Sequence, residues 1–379
     1  MNKYLKKAVI YGSLCFLLGA CGGAGEQTSS EPQKKEEAVK SKEAVKSKEA
    51  VKSKEATKKE KKEGINTTIK ISAAGDFTLG NDESFSYDST FNDVAARNGL
   101  PYFTQNVKST FEQDDLTTVN LETTLTNATE KASKTFRFKG DPSFVNILKQ
   151  GSIEAVNLAN NHTRDYLQQG YDDTRENLKK SGIGYFGYED TYITTVKGVK
   201  VGLLGYPGWD DTKEIRSQIK DGIKSLKEKG AKIIIVHFHW GSERHYVPDT
   251  AQQALAKYTI DNGADLILGH HPHVVQGIEE YKDKFIVYSL GNFMFGGNKN
   301  PSDKDTFVFQ QTFTIKDGKL TTNKDINVIP FRISSTTARN DYRPTPLTGA
   351  EKDRVKNKLI DVSNQIKQEK WTVYDEDSK

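Results

Sequence analysis

From about residue 65 onward, short apolar runs alternate with longer amphipathic segments, and this pattern predicts the secondary structure. The apolar runs are bounded by turn residues, as β-strands are. They cover residues 68–73, 115–121, 155–159, 199–206, 231–236, 265–268 and 284–289. Apolar side chains recur about every 3.6 residues, as in helices, in residues 144–149, 165–180, 213–229 and 250–262. Strands that alternate with helices predict an α/β domain.

The apolar runs are of two kinds, and the difference predicts how the sheets pack. Continuous runs are typical of strands covered on both faces, whereas alternating runs are typical of strands with one exposed face. Residues 307–315 and 325–333 flank an Asp317-Gly318 turn and predict a β-hairpin. We therefore expect a helix-covered sheet that packs on a more amphipathic one.

The first 20 residues have the pattern of a bacterial lipoprotein signal peptide. Lys3, Lys6 and Lys7 precede an apolar run at residues 8–20, which is too short to span a bilayer comfortably. The run leads into Leu-Gly-Ala-Cys at residues 18–21, which resembles a lipobox. We predict that Cys21 is joined to membrane lipid and holds the protein at the extracytoplasmic face of the cell membrane. An ordinary secretory signal or an uncleaved anchor is the alternative.

Residues 21–64 predict a charged, partly helical spacer between this anchor and the folded domain. The hexapeptide at residues 37–42 repeats at 43–48 and 49–54, and a period of six leaves no continuous apolar stripe for a coiled coil. Residues 33–63 hold twelve Lys and seven Glu, more than the whole net charge of +4. The remaining chain is close to neutral, which argues against nucleic acid as a partner.

The folded domain is predicted to span residues 65–335, and a C-terminal helix with a polar tail is predicted to occupy residues 336–379. The chain has two cysteines, Cys15 and Cys21, and both precede this domain. The domain therefore contains neither a disulfide nor a thiolate metal site.

Histidine is concentrated at the predicted strand ends. All seven histidines lie between His162 and His273, and five of them directly follow predicted strands. Ligands bind at the carboxyl ends of strands in α/β sheets. In an extended segment, residues i and i+2 face the same way, so His271 and His273 are expected to project together. A single histidine is more often structural, but this concentration predicts one or two divalent metal ions, Mn, Zn or Fe.

Six ordered motifs resemble the CapA family of poly-γ-glutamate capsule proteins. They are Gly75-Asp76, Asn120-Leu121-Glu122, Asn-Leu-Ala-Asn-Asn-His at residues 157–162, His239-Trp240-Gly241 with Glu243, His271-Pro272-His273, and Ser-Leu-Gly-Asn-Phe at residues 289–293. The resemblance covers residues 65–333. It implies the fold of calcineurin-like metallophosphoesterases, an α/β sandwich of two packed mixed sheets flanked by helices.

The resemblance also implies a role for the motif residues. The implied ligands are Asp76 and His273 for a first metal, Asn161, His239 and His271 for a second metal, and Glu122 as the bridge between them. His162 would be the acid toward a leaving group. The broader superfamily has a histidine where this chain has Thr78, so the first metal lacks one ligand. Of the other histidines, His237 is expected beside the metal ligands or in the core, and His245 and His270 are expected beside the metal ligands or on the surface.

Charged residues near the motifs complete the predicted site. Arg137 and Lys139 could hold an anionic substrate, because a guanidinium binds carboxylate or phosphate in a fork. A surface ion pair is an equal alternative for Arg137. Asp165 follows His162 closely and could orient it, or it could serve as a carboxylate at a helix N-terminus.

Two functions agree with this set of residues. The first is a membrane-anchored metal-dependent hydrolase that acts on a phosphoester or an anionic polymer bond in poly-γ-glutamate capsule synthesis or export. The second is a non-catalytic subunit or polyanion-binding scaffold that works with membrane-bound polymer synthase subunits. A solute-binding lipoprotein is a weaker third interpretation, because binding proteins do not need histidines at successive strand ends.

Overall fold

The computed structural model describes residues 66–321 and 324–367, which form alternating strands and helices. The strands are β1 (Asn66–Thr78), β2 (Asn81–Asp82), β3 (Leu116–Leu121), β4 (Thr124–Leu125), β5 (Phe138–Gly140), β6 (Ala155–Asn157), β7 (Gly184–Phe186), β8 (Tyr192–Val196), β9 (Val199–Gly208), β10 (Ile233–Trp240), β11 (Leu266–His270), β12 (Ile278–Tyr281), β13 (Lys284–Val287), β14 (Asn292–Phe295), β15 (Asp305–Lys316), β16 (Lys319–Leu320), β17 (Ile326–Arg332) and β18 (Thr345–Pro346). The helices are α1 (Phe91–Asn98), α2 (Pro101–Thr104), α3 (Lys108–Phe111), α4 (Val145–Gln150), α5 (Leu167–Ser181), α6 (Lys213–Glu228), α7 (Thr250–Asn262) and α8 (Gly349–Lys367). The predicted signal peptide, Cys21 and the spacer lie outside the described residues.

Two mixed sheets form the centre of the fold. In the first sheet the strand order is β18-β17-β15-β1-β3-β6-β7, with β14 beside β1 and β16 beside β15. In the second sheet the order is β12-β13-β11-β10-β9-β8. Strands β1, β3, β6 and β7 run parallel to one another, as do β9, β10, β11 and β13. The carboxyl ends of the central strands in each sheet therefore lie along one edge.

The side chains of β10 show how these sheets pack. Ile233 and Ile235 belong to a core that also contains residues of the first sheet, whereas Ile234 and Val236 pack with helices α6 and α7. Successive side chains of a strand point to opposite faces, so β10 is buried on both. Helices α1 to α5 contribute to a third core against the other face of the first sheet. The predicted α/β sandwich of two packed mixed sheets flanked by helices is confirmed.

The termini of the long helices follow local sequence. The side chain of Thr212 caps α6, and Asp249 forms a capping box with Gln252 at the start of α7. Gly182 and Gly263 end α5 and α7 in left-handed conformations, which glycine adopts without a steric penalty. Helices α1, α2 and α3, which have eight, four and four residues, were not predicted.

The C-terminal part of the described chain packs on both sheets. Val355 and Leu359 of α8 are buried in the core between the sheets, and the Ser363 hydroxyl oxygen accepts a hydrogen bond from the Ile278 backbone at 2.9 Å.

The observed β-hairpin differs from the predicted one in one detail. Strand β15 pairs with β17 as expected, but the turn at Asp317-Gly318 joins β15 to the short β16. Across residues 66–321 and 324–367, we find no helix long and apolar enough to cross a membrane.

Candidate metal centre

Acidic and imidazole side chains from both sheets converge at the carboxyl ends of the central strands. We call this group the site cluster; it contains Asp76, Glu122, His239, His271 and His273. Asp76 lies near the end of β1, Glu122 directly follows β3, and His239 lies near the end of β10. The two remaining histidines follow β11. Parallel strands that end at one edge bring together residues that are far apart in sequence.

The site cluster contains two overlapping sets of potential metal ligands. Glu122, His239 and His271 form one set, and Asp76, Glu122 and His273 form the other; within each set the ligand atoms lie within 4.8 Å of one another. His239 Nε2 lies 3.5 Å from Glu122 Oε1, and Asp76 Oδ2 lies 3.3 Å from His273 Nδ1. Glu122 belongs to both sets, which is the geometry that a bridging carboxylate needs.

Several buried polar atoms of the site cluster have no hydrogen-bond partner among the described residues. Asp76 Oδ2, both carboxylate oxygens of Glu122 and His271 Nδ1 have no hydrogen-bond partner among the described residues. A buried charged group without a partner is costly, and natural proteins compensate such groups by pairing or by metal coordination. Carboxylate oxygens and imidazole nitrogens are ligands of Zn²⁺, Mn²⁺ and Fe. The donor set therefore fits a divalent cation.

Burial and mutual contact shift the pKa values of the site cluster in opposite directions. Burial alone would raise the pKa of Asp76, but His270 and His273 outweigh it and hold that pKa well below its usual value. Burial and the nearby Asp76 raise the pKa of Glu122 well above its usual value. Burial opposes protonation of His273, yet Glu122 and Asp76 raise its pKa to about 10. Burial lowers the pKa of His271 to about 4.

The segment after β11 differs from the sequence-based expectation. His271 and His273 have φ angles of 96° and 55°, so the segment is not extended and the expected i, i+2 alternation does not apply. Left-handed backbone at non-glycine residues is strained and is common at functional sites. Asn292 holds the second histidine in place, because its Oδ1 lies 2.8 Å from His273 Nδ1. The two imidazoles therefore converge through a tight turn.

Asn161 and His162 lie at the mouth of the cluster. Asn161 is exposed, and its Oδ1 lies 2.8 Å from His239 Nε2. His162 is buried and stacks on Phe138 with 4.2 Å between ring centroids. Its Nδ1 lies 2.6 Å from Asp165 Oδ2. Burial lowers the pKa of His162, and Asp165 partly offsets this effect.

Lys134 holds the pair of His162 and Asp165 together from outside. Its Nζ lies 2.8 Å from Asp165 Oδ1 and donates to the Asn161 carbonyl oxygen at 2.8 Å. The Phe138 backbone N–H also donates to Asp165 Oδ2, at 2.6 Å. Asp165 therefore has three donors and is fixed in the orientation that accepts from the imidazole.

The two predicted substrate-binding cations already have acidic partners. The Arg137 backbone N–H donates to Asp82 Oδ2 at 2.6 Å, and its Nε lies 3.6 Å from the same oxygen. Lys139 pairs with Glu83 and lies 4.7 Å above the ring of Tyr166. Much of their charge is therefore offset before any substrate arrives.

Comparison with known proteins identifies the family. Residues 70–297 match the sequence profile of the bacterial capsule synthesis protein PGA_cap. The chain belongs to the PGA_cap family. The matched region contains every residue of the site cluster, together with His162 and Asp165. The resemblance that the six motifs carry is thereby confirmed at the level of the family.

Relatives with curated descriptions agree with this assignment. The capsule biosynthesis protein CapA of Bacillus anthracis is 29% identical over 322 residues, which cover 78% of this chain and 73% of that protein. The PGA biosynthesis protein CapA of Bacillus subtilis (strain 168) is 32% identical over 223 residues, covering 53% of this chain and 59% of that protein. Among solved structures, a novel phosphatase of Mycoplasma pneumoniae is similar with a TM-score of 0.43 and 14% identity, over 73% of this chain and 96% of that one.

In this PGA_cap protein, two residues beside the site cluster were missed by sequence reasoning. Trp209 is 42% exposed, and its ring centroid lies 4.7 Å from that of His271 and 5.6 Å from that of His239. It directly follows β9. Because ligands bind at the carboxyl ends of strands, the argument that identified the histidines applies to Trp209 as well. Arg244 lines a cavity of about 370 Å³ together with His162 and His273. Its guanidinium forms no ion pair with any residue that the structure describes.

The remaining flagged residues have different surroundings. Thr78 is buried, and its hydroxyl has no hydrogen-bond partner in the described part of the chain. His245 is exposed. His270 is fully buried beside Asp76 and so does not lie on the surface, and His237 is fully buried against His270. Asn120 was quoted only as part of a motif, yet its Nδ2 donates to Asp76 Oδ1 at 2.8 Å and lies 3.3 Å from His239 Nδ1.

Proposed function

We propose that this PGA_cap protein is a membrane-anchored, extracytoplasmic hydrolase that cleaves a phosphoester or an anionic polymer bond in poly-γ-glutamate capsule synthesis or export. The observation that carries the proposal is the set of buried carboxylate oxygens on Asp76 and Glu122 that lack partners and are surrounded by histidines. This pattern is expected of a metal centre, since such oxygens are otherwise costly to bury.

The proposed ligands divide around Glu122. Asp76 and His273 would hold one divalent ion, Mn, Zn or Fe, and Asn161, His239 and His271 would hold a second, with Glu122 shared between them. When bound, a pair of such ions supplies Lewis acidity and lowers the pKa of water toward neutrality. Trp209 contacts two of these imidazoles, His239 and His271, in edge-on geometry.

His162 is proposed as the proton donor to the leaving group. Asp165 accepts at Nδ1, so it stabilises the protonated imidazole and leaves Nε2 to donate a proton in the cavity that His162 lines. Lys134 and the Phe138 backbone hold Asp165 in this orientation. Asp165 thus acts by positioning His162.

Cations near the cavity are proposed to select an anionic substrate. Arg244 lines the cavity and has no ion-pair partner among the described residues, so its full charge is free for a phosphate or a carboxylate. Arg137 and Lys139 would add a weaker field, because Asp82 and Glu83 offset them. A polyanion such as poly-γ-glutamate, or an anionic precursor of it, has the complementary charge.

The family and the N-terminal sequence support the proposed location and partners. The B. anthracis and B. subtilis relatives are described as capsule and PGA biosynthesis proteins, which supports a place in the cell envelope. We propose that lipid on Cys21 anchors the chain and that the charged spacer separates the catalytic domain from the bilayer. Membrane-bound polymer synthase subunits are the proposed protein partners.

One observation favours a second candidate, a non-catalytic subunit or polyanion-binding scaffold. Thr78 occupies the place where calcineurin-like enzymes carry a further histidine, so the first metal position has one ligand fewer. A weakened metal position would suit recognition of a polyanion without turnover.

The deciding experiment combines metal analysis with one substitution. The full-length protein, purified in detergent, is expected to contain stoichiometric metal and to hydrolyse bis(p-nitrophenyl) phosphate. His162→Ala should reduce turnover by about a hundredfold or more without loss of metal, because proton donation contributes this much. His245→Ala, which removes an exposed histidine, is the control and should leave turnover unchanged.

Other results would lead to a different assignment. Metal-free wild-type protein that still supports polymer production in cells would establish the scaffold. Wild-type turnover in His162→Ala would remove this histidine from the mechanism.

A further inference from the structure

Two histidines that the proposed function leaves unused, His237 and His270, form a buried pair beside the site cluster. Both side chains are fully buried, and their rings stack with centroids 5.1 Å apart and an interplanar angle of 9°. His237 Nδ1 lies 2.9 Å from His270 Nε2. At this distance a single hydrogen lies between the two nitrogens, so one ring donates and the other accepts.

The pair connects a hydroxyl group to a proposed metal ligand. Thr118 Oγ1 lies 3.3 Å from His237 Nε2. His270 Nδ1 lies 3.4 Å from Asp76 Oδ1, at the long limit of hydrogen-bond distances, and has no better partner among the described residues. The four residues lie on β3, β10, β11 and β1, so the connection crosses from one sheet to the other and returns.

Thr118 determines the direction of these contacts. Its hydroxyl is fully buried, and His237 is the partner it has within the described part of the chain. A buried hydroxyl hydrogen without an acceptor is unfavourable, whereas an oxygen lone pair is more easily left unused. Thr118 therefore donates to His237 Nε2, and the ring hydrogen of His237 must be on Nδ1. His237 then donates to His270 Nε2, which leaves the His270 hydrogen on Nδ1, facing Asp76.

We propose that Thr118, His237 and His270 form a hydrogen-bond chain in which each group donates to the next, and that this chain orients Asp76 for cation binding. The inference rests on the metal centre of the proposed function. All three are positioning residues, because they act through Asp76 and touch neither substrate nor the proposed metal.

The consequence for Asp76 is that its two oxygens have different tasks. Oδ1 accepts from Asn120 Nδ2 at 2.8 Å and faces His270 Nδ1 at 3.4 Å, so it already has a donor and a second imidazole N–H directed toward it. Oδ2 is buried without a partner and lies 3.3 Å from His273 Nδ1. The chain thus leaves Oδ2 for the cation, as outer hydrogen bonds commonly do at metal sites.

Metal affinity tests this role. Mn²⁺ is titrated calorimetrically into full-length, metal-free protein in detergent. Thr118→Val keeps the shape of the side chain but removes the hydroxyl, and it should weaken Mn²⁺ binding about tenfold. Thr118→Ser should retain the wild-type affinity. Thr117→Val is the matched control: it removes a neighbouring buried hydroxyl, which donates to Asp114 Oδ2 at 2.6 Å, and should leave the affinity unchanged.

Equal affinity in Thr118→Val and wild type would overturn the role of the chain, as would an equal loss in Thr117→Val. The second measurement needs no metal. Nitrogen-15 NMR of the histidine rings in metal-free protein should find the Nδ1–H tautomer in both His237 and His270, and an Nε2–H at either ring overturns the proposed direction. If wild type binds none of Mn²⁺, Zn²⁺ and Fe²⁺, the metal centre of the proposed function is wrong, and the ring tautomers alone decide whether the chain exists.

Discussion

Two groups of buried carboxylates in this protein have opposite surroundings. The first is the site cluster. The second, which we call the helix cluster, contains Asp303, Asp305, Arg354 and Lys358 and joins β15 to α8. Asp305 accepts from Arg354 at 2.7 and 2.8 Å and from Lys358 at 2.9 Å, so both of its oxygens are satisfied. In the site cluster, three carboxylate oxygens have no hydrogen-bond partner among the described residues.

The pKa shifts reflect the same difference. Burial would raise the pKa of Asp305, but Arg354 and Lys358 outweigh it and lower that pKa. Burial and Asp76 both raise the pKa of Glu122, and the opposing effect of His273 is too small to offset them. A cluster that is complete in itself stabilises the fold, whereas an incomplete one needs a ligand to become stable. The comparison therefore separates a structural charge network from a candidate binding site without reference to homologues.

The largest expected effect is stabilisation of the site cluster by metal. With free metal about a thousandfold above the Kd, the free energy of unfolding should rise by about 4 kcal/mol relative to chelated protein. Glu122→Gln should abolish most of this gain, because it removes the carboxylate that both ligand sets share. Urea denaturation with and without EDTA measures both values. A full metal-dependent gain in Glu122→Gln would show that the cluster is not the binding site.

The next effect concerns the helix cluster and should not depend on metal. Asp305→Asn removes the buried carboxylate that Arg354 and Lys358 share and should lower the free energy of unfolding by about 2 kcal/mol. This is less than the loss for a fully buried pair, because Arg354 is 47% exposed. Asp261→Asn, which breaks the exposed pair with Lys282, is the control and should lower the free energy of unfolding much less than Asp305→Asn does. A dependence of the Asp305→Asn loss on metal would contradict the separation of the two clusters.

Much of the site cluster could be predicted from sequence, because its residues follow strands. Asp76, Glu122 and His239 lie at or just beyond the ends of β1, β3 and β10, and parallel strands place such ends at one edge. The convergence of these side chains is therefore a direct consequence of the strand pattern. Their roles as ligands stay a prediction, since they derive from the resemblance to the family.

Other features depend on contacts that periodicity does not encode. The positive φ angles of His271 and His273 arise from the tight turn after β11, and a sequence pattern gave no sign of them. The acidic partner of Arg137 is Asp82, 55 residues away in the chain. The helix cluster likewise joins Asp305 to Arg354 across 49 residues. Pairings over such distances are set by the packing of the sheets and cannot be read from local spacing.

Low pH should reduce the difference in the free energy of unfolding between wild type and Asp305→Asn. The pKa of Asp305 is lower in the folded protein than in the unfolded chain, so its stabilising contribution is complete above the unfolded value near 3.8 and is lost as pH falls through the folded value. The destabilisation caused by Asp305→Asn should therefore be smaller at pH 3 than at pH 6. Urea denaturation of metal-free wild type and variant at both pH values measures this loss of unfolding free energy. A loss that is equal at both would mean that the carboxylate charge does not contribute.

The smallest expected effect is a rise in the free energy of unfolding of the metal-free protein when Glu122 is replaced by glutamine. The folded pKa of Glu122 is raised, so the cost of its charge appears as pH rises above the unfolded value near 4.5 toward the folded value. Metal-free Glu122→Gln should then be more stable than wild type by about 1 kcal/mol at pH 8, with a smaller difference at pH 5. Glu83→Gln is the control, and it should lower the free energy of unfolding instead. Burial would raise the pKa of Glu83, but Lys139 and other partners outweigh it and lower that pKa. If Glu122→Gln instead destabilised the metal-free protein, the carboxylate would belong to the same structural class as Asp305, and the contrast between the two clusters would be lost.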